Sequence, residues 1–118
     1  MRVITGTARG RVLRTLEGED VRPTTDRVKE AVFSIIQFEI EGRRVLDLFA
    51  GSGQLGIEAL SRGADSATFV DMSKDSLATV KYNLEHTKLG DRAKVIQTDA
   101  LSFLKLTKDR FDIVFIDP

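Results

Sequence analysis

The stretch Val45-Leu46-Asp47-Leu48-Phe49-Ala50-Gly51-Ser52-Gly53-Gln54-Leu55-Gly56 decides the fold. Val45 to Phe49 is an apolar run of strand length that carries one acid. Gly51-Ser52-Gly53 makes a turn, and Leu55 to Arg62 reads as a helix, with Gly63 placed as its C-terminal cap. Gly51, Gly53 and Gly56 fit G-x-G-x-x-G between a strand and a helix. In that setting Gly51 permits the tight turn, and Gly53 lets a ligand approach the backbone.

Downstream the alternation repeats. Ala67-Thr68-Phe69-Val70 is a second strand ending at Asp71, and Leu77, Val80 and Leu84 mark a second helix. Lys94 to Gln97 is a third strand ending near Asp99, Leu101 to Leu106 a short helix, and Phe111 to Ile116 a fourth strand before Asp117-Pro118. This spacing implies right-handed βαβ units in a parallel α/β sheet, with strand order 3-2-1-4 expected. Upstream, residues 2–5 and 11–14 flank Gly6-Thr7-Ala8-Arg9-Gly10 and suggest a β-hairpin. Glu17-Gly18-Glu19-Asp20 reads as a turn. Pro23-Thr24-Thr25-Asp26 starts a lead-in helix with Val28, Ala31, Val32, Ile35 and Ile36 on one face, ended by Gly42. Residues 1–22 are therefore read as an N-terminal hairpin extension and 23–118 as the cofactor-binding half of a domain.

The 118 residues suffice for one domain with a core, and they contain no cysteine, so disulfides and thiolate metal sites are excluded. No segment approaches the roughly 20 apolar residues of a membrane span, and no signal-peptide pattern opens the chain, so a cytoplasmic protein without membrane attachment is expected. Net charge is zero, yet residues 1–16 hold Arg2, Arg9, Arg11 and Arg14 and no acid. Such a local patch can engage phosphate, and equally describes a solvated hairpin.

Asp71 lies 20 positions after Gly51, where a carboxylate can accept both hydroxyls of a ribose. An adenosine-containing cofactor follows. Its kind is decided by charge. A dinucleotide needs the helix N-terminus free for pyrophosphate, whereas Asp47 sits in the first strand, four residues before Gly51. A carboxylate there suits the sulfonium and ammonium of S-adenosylmethionine, not the phosphates of NAD. Asp99 can accept from an adenine amine or cap the following helix at Ala100-Leu101; both roles are compatible. Asp117-Pro118 ends the fourth strand, beside the point where the strand order reverses, and offers a carboxylate and a carbonyl to a planar NH2 on a stiff backbone. His86, the one histidine, reads as a surface residue, and no metal-ligating or Ser/His/Asp set is present.

Arg22-Pro23-Thr24-Thr25-Asp26-Arg27-Val28-Lys29-Glu30-Ala31, Asp47 to Gly53 and Phe115-Ile116-Asp117-Pro118 resemble the ribosomal RNA guanine-N2 methyltransferases of the RsmD type. Arg2-Val3-Ile4-Thr5-Gly6, Gly10-Arg11 and Leu13 are similar too, so the resemblance runs through the whole chain. The Arg-Pro-Thr-Thr-Asp-Arg run is its most specific element. The resemblance implies a Rossmann-like S-adenosylmethionine-dependent methyltransferase, with S-adenosylhomocysteine as product. It implies that Asp47, Gly51, Gly53, Asp71, Asp99 and Ala100 line the cofactor site, with Ala50, Ser52 and Met72 beside them. It implies that Asp117 and Pro118 hold the target amine, and that the hairpin and Arg22 lie near ribosomal RNA or a small-subunit assembly particle. The family pattern continues as Asp-Pro-Pro-Tyr, which this sequence follows as far as the first proline.

The expected reaction is transfer of a methyl group to guanine N2. The rivals are a methyltransferase for a non-RNA substrate, a non-catalytic fragment that keeps the cofactor pocket, and an NAD-dependent oxidoreductase, which Asp47 disfavours. With nothing after it, Phe111 to Ile116 is expected to be an unguarded edge strand through which the polypeptide self-associates.

Overall fold

The structure is a computed structural model and describes residues 1–16 and 26–118. Its elements are α1 (Asp26–Ile35), β1 (Arg44–Asp47), α2 (Gln54–Ser61), β2 (Ser66–Asp71), α3 (Lys74–Thr87), β3 (Ala93–Gln97), α4 (Ala100–Leu106) and β4 (Ile113–Phe115). The four strands are parallel, in the order β3-β2-β1-β4. The chain builds outward from β1 through β2 to β3, then returns to set β4 on the other side of β1. The strand order therefore reverses between β1 and β4, the place where sheets of this kind bind ligands beyond the strand carboxyl ends.

Alternation along each strand sends side chains to opposite faces. Val45, Ala67, Phe69 and Phe115 join α2 and α3 through Leu55, Ile57, Leu60, Leu77, Val80 and Leu84 in one core. Leu46, Leu48 and Val70 face the other way and meet Phe103 of α4. Gly56 lets α2 sit directly on β2: a Cβ there would lie 2.3 Å from the Phe69 ring. Gly63, at φ 104°, follows the last turn of α2 as expected of a C-terminal cap.

The N-terminal segment differs from a regular hairpin. The expected antiparallel pairing is present, with Arg2 bridged to Val12 and Val3 N–H donating to Arg11 O, Gly10 N–H to Val3 O and Leu13 N–H to Met1 O, but it forms no regular strands. The reason is docking. Val3, Ala8 and Leu13 are buried in the α2–α3 core, and the backbone is held from outside: Thr7 N–H donates to Ser61 O and Ala8 N–H to Ser61 Oγ. Gly6, at φ 92°, rests so close to Ser61 that a Cβ would stand 1.9 Å from its carbonyl oxygen.

The lead-in helix also departs from expectation. It ends at Ile35 rather than near Gly42, and its buried residues are Lys29 and Phe33. Val28 and Ile35 of the expected apolar face are 53% and 81% exposed. The cause is what α1 packs against: Phe33 meets the Phe115 ring at 5.5 Å, and Lys29 pairs with a buried carboxylate. The helix start signal at Pro23-Thr24-Thr25 and the turn at 17–20 lie outside the described residues. β4 is shorter than the apolar run that suggested it, and within this sheet it pairs with β1 alone. No helix among the described residues is long and apolar enough to cross a membrane.

Candidate functional site

Asp47 is the last residue of β1, buried, and aimed at the start of α2. Its Oδ2 accepts the Gly56 N–H at 3.0 Å. Burial pushes its carboxyl up to about 7; the Gly56 hydrogen bond opposes this, and the charges of Asp117 and Asp71 add to it. Two consequences follow. One first-turn N–H of α2 already has an acidic partner, and a buried acid beside the helix N-terminus disfavours a phosphate there. Three carboxylates also converge around the glycine turn, a field that favours a cation.

The turn is shaped by backbone conformations that suit glycine, with φ 57° at Gly51 and 84° at Gly53. Ala50 N–H donates to Val70 O at 3.0 Å and Gly53 N–H to Ala50 O at 2.7 Å. Asp71, at the end of β2, closes the turn: its Oδ2 accepts the Gly51 N–H and its Oδ1 the Ser73 N–H, each at 2.9 Å. Ser52 is buried, with its carbonyl turned toward α3.

Beside the turn lies a cleft of about 380 Å³ lined by Leu48, Phe49, Asp71, Met72, Thr98, Asp99, Ala100 and Leu101. Phe49, Met72 and Leu101 give it apolar walls, and a carboxylate stands on either side. That shape suits a flat base with a ribose attached. Asp99 caps α4: Oδ1 accepts the Ser102 N–H at 2.8 Å and Oδ2 the Ser102 hydroxyl at 2.7 Å. The Ser102 hydroxyl and N–H hold the Asp99 carboxyl below its ordinary value. The capping role is thus seen directly, and carboxylate oxygens keep further lone pairs for a ligand.

The Leu48 N–H donates to Phe115 O at 3.1 Å, which binds the end of β4 to the end of β1. Asp117 follows, near enough to Asp47 for their charges to repel. Asp117 and Pro118 are exposed at this rim. The structure therefore gathers Asp47, Ala50, Gly51, Ser52, Gly53, Asp71, Met72, Asp99, Ala100 and Asp117 at one end of the sheet.

Arg2, Arg9, Arg11 and Arg14 are exposed on the docked N-terminal segment, and Arg22 lies outside the described residues. The Arg14 guanidinium sits 3.7 Å over the Tyr82 ring, and Tyr82 stacks on His86. His86 is thus a half-buried partner rather than a free surface group.

Sequence reading missed Glu58, Lys29, Asn83 and Phe49. Glu58 is fully buried on α2. It pairs with Lys29 at 3.1 Å and Arg62 at 2.9 Å, and accepts the N–H groups of Ile4 and Thr5. Burial alone would raise its carboxyl, but these partners outweigh burial and hold it below the usual range. Lys29 is pulled below its ordinary value by burial, against the attraction of Glu58. The available signal was an acid on an otherwise apolar helix. For Phe49 it was an aromatic next to the glycine turn.

The family described as conserved hypothetical protein 95 matches residues 1–118. The chain is 45% identical to ribosomal RNA small subunit methyltransferase D of Haemophilus influenzae over 121 residues, covering 100% of this chain and 63% of that protein. It is 42% identical to the protein of the same name from Escherichia coli K12, covering 100% of this chain and 59% of that one. The solved structure of yhhF from Escherichia coli superposes with a TM-score of 0.90 at 43% identity, covering 100% of this chain and 64% of that structure. The chain thus spans a little under two thirds of these relatives. With the 3-2-1-4 parallel sheet, the acid-flanked glycine turn and these matches together, the chain belongs to the family of the small-subunit ribosomal RNA methyltransferase D proteins.

Proposed function

We propose that this chain forms the cofactor-binding part of a methyltransferase acting on small-subunit ribosomal RNA, with S-adenosylmethionine as donor, S-adenosylhomocysteine as product and the exocyclic N2 of a guanine as target. The observation that carries this reading is the buried Asp47 carboxylate at the N-terminus of α2, flanked by Asp71 and Asp117. It favours a cationic ligand where a dinucleotide would bring phosphates. S-adenosylmethionine supplies a methyl group made electrophilic by its sulfonium.

The residues of this chain bind and orient. Asp71 would accept from the ribose hydroxyls, Phe49, Met72 and Leu101 would flank the base, and Asp99 with Ala100 would meet its edge. Asp117 and the Pro118 carbonyl would accept hydrogen bonds from the guanine NH2, orienting it for transfer and stabilising positive charge as it develops on nitrogen; the methylated nitrogen would then release a proton to solvent. The exposed arginines of the N-terminal segment, with Arg22, run along the RNA backbone, free or within an assembling particle. The related proteins named for ribosomal RNA methylation support the substrate class.

Calorimetric titration with S-adenosylhomocysteine and with NAD tests the cofactor; tighter binding of NAD overturns it. Incubation with labelled donor and small-subunit RNA, followed by digestion to nucleosides, tests the reaction; label on any base other than guanine overturns the target. Among the described residues β4 pairs with β1 alone and Val114 is 44% exposed, which supports self-association of this polypeptide. Light scattering should show a dimer or larger species that Val114→Lys shifts toward monomer; a monomeric unmodified chain refutes it.

A further inference from the structure

Asn83 is fully buried near the end of α3 and joins two segments that are distant in sequence. Its Oδ1 accepts the Arg14 N–H at 2.8 Å, and its Nδ2 donates to the Arg14 carbonyl at 2.9 Å. That pair is what a neighbouring strand would offer Arg14, supplied here by a side-chain amide. The same Nδ2 donates to Ser52 O at 3.0 Å, in the centre of the glycine turn. Ser52 adjoins Gly51, whose N–H is held by Asp71. A continuous run of hydrogen bonds and the backbone of two residues therefore leads from the Asp71 carboxylate through Gly51, Ser52 and Asn83 to Arg14. Arg14 is then fixed a second time by its guanidinium on Tyr82, the residue before Asn83.

We propose that Asn83 is a positioning residue that couples the cofactor cleft to the arginine-bearing N-terminal segment. A ligand that fixes the glycine turn fixes the Ser52 carbonyl, and with it the amide that holds Arg14. By linkage, RNA that immobilises Arg14 tightens the cleft for its cofactor by the same factor. The two substrates of a methyl transfer then promote each other's binding through a residue that touches neither. This rests on reading the cleft as the S-adenosylmethionine site.

The test is amide hydrogen exchange on the whole 118-residue chain with and without S-adenosylhomocysteine. A merely structural Asn83 protects the Arg14 amide equally in both states. Coupling predicts that S-adenosylhomocysteine slows exchange at Gly51 and at Arg14 together, by about fivefold or more at Arg14. In Asn83→Ala the slowing persists at Gly51 and disappears at Arg14. If that variant does not fold, the unmodified chain decides alone. Slowing at Gly51 with no change at Arg14 overturns the coupling and leaves the cofactor reading intact. No slowing at either, with no calorimetric binding, overturns both.

Discussion

Asp71 Oδ2 accepts the Gly51 N–H at 2.9 Å, so the acid at the tip of β2 is also the clasp of the glycine turn. Its spacing from Gly51 in sequence is the distance the chain needs to leave β1, form α2 and return alongside. The residue proposed to meet the ribose is therefore also one that holds the turn in shape.

Asp71→Ala should weaken S-adenosylhomocysteine binding by about 10- to 100-fold, because hydrogen bonds to a charged group are worth roughly 1.5–3 kcal/mol. Asp71→Asn, which keeps one acceptor oxygen, should lose less. Isothermal calorimetry gives both constants, and an unchanged value for Asp71→Ala removes the residue from the site.

Asp47 makes stability depend on pH. Its carboxyl is raised from 3.8 to about 7 in the folded chain. Between about pH 4 and 7 the folded state holds a proton that the unfolded chain has released, so stability falls as pH rises through that window and levels off above it. The loss is on the order of a few kcal/mol at 1.36 kcal/mol per unit. Urea titrations at pH 5 and pH 8 should differ in this sense for the unmodified chain, and Asp47→Asn should reduce the difference. Affinity for a cationic donor should rise as pH passes about 7, where the carboxylate forms in the folded chain.

Glu58 should be the most costly polar residue to alter. Removing its charge leaves Lys29 buried without a counter-ion, and breaking one side of such a pair costs about 3–5 kcal/mol. Glu58→Gln should therefore lower the urea midpoint sharply. Adding Lys29→Met to it should restore much of the loss, since the orphaned ammonium is then gone. A double variant no more stable than Glu58→Gln would show that the hydrogen bonds to Ile4 and Thr5, and not the ion pair, carry the effect.

RNA binding should weaken with salt by about 0.7 log unit per phosphate contact per decade. Replacing Arg9 and Arg11 with Ala should flatten the slope and leave S-adenosylhomocysteine affinity unchanged. Filter binding across a salt series is the measurement. A slope that stays the same assigns these arginines to solvent.

The sheet and its order were legible because strand periodicity and glycine punctuation are local signals. The placement of Asp47, Gly51, Gly53 and Asp71 around one turn was legible because their spacing is that of one βαβ unit. The inward face of α1 was not. Val28, Ala31, Val32, Ile35 and Ile36 form a clean apolar stripe, yet Lys29 and Phe33 are the residues buried. A lysine drawn inward by a carboxylate on another helix leaves no trace in a hydrophobic pattern. Asn83 was hidden for the same reason: its partners, Arg14 and Ser52, are backbone groups that any residue types could present.

The single carboxylate that gathers Lys29, Arg62 and the backbone of Ile4 and Thr5 also sets an order of events. A chain made from its N-terminus presents residues 1–29 well before position 58 exists. Until α2 exists the Ile4 and Thr5 N–H groups lack their carboxylate, and the Lys29 ammonium, which also reaches the Arg2 carbonyl, lacks its partner on α2. The same dependence binds the positions in descent. Among relatives, an acid lost at 58 should be matched by loss of the cation at 29, while Arg62, with 14% of its side chain in solvent, can stay.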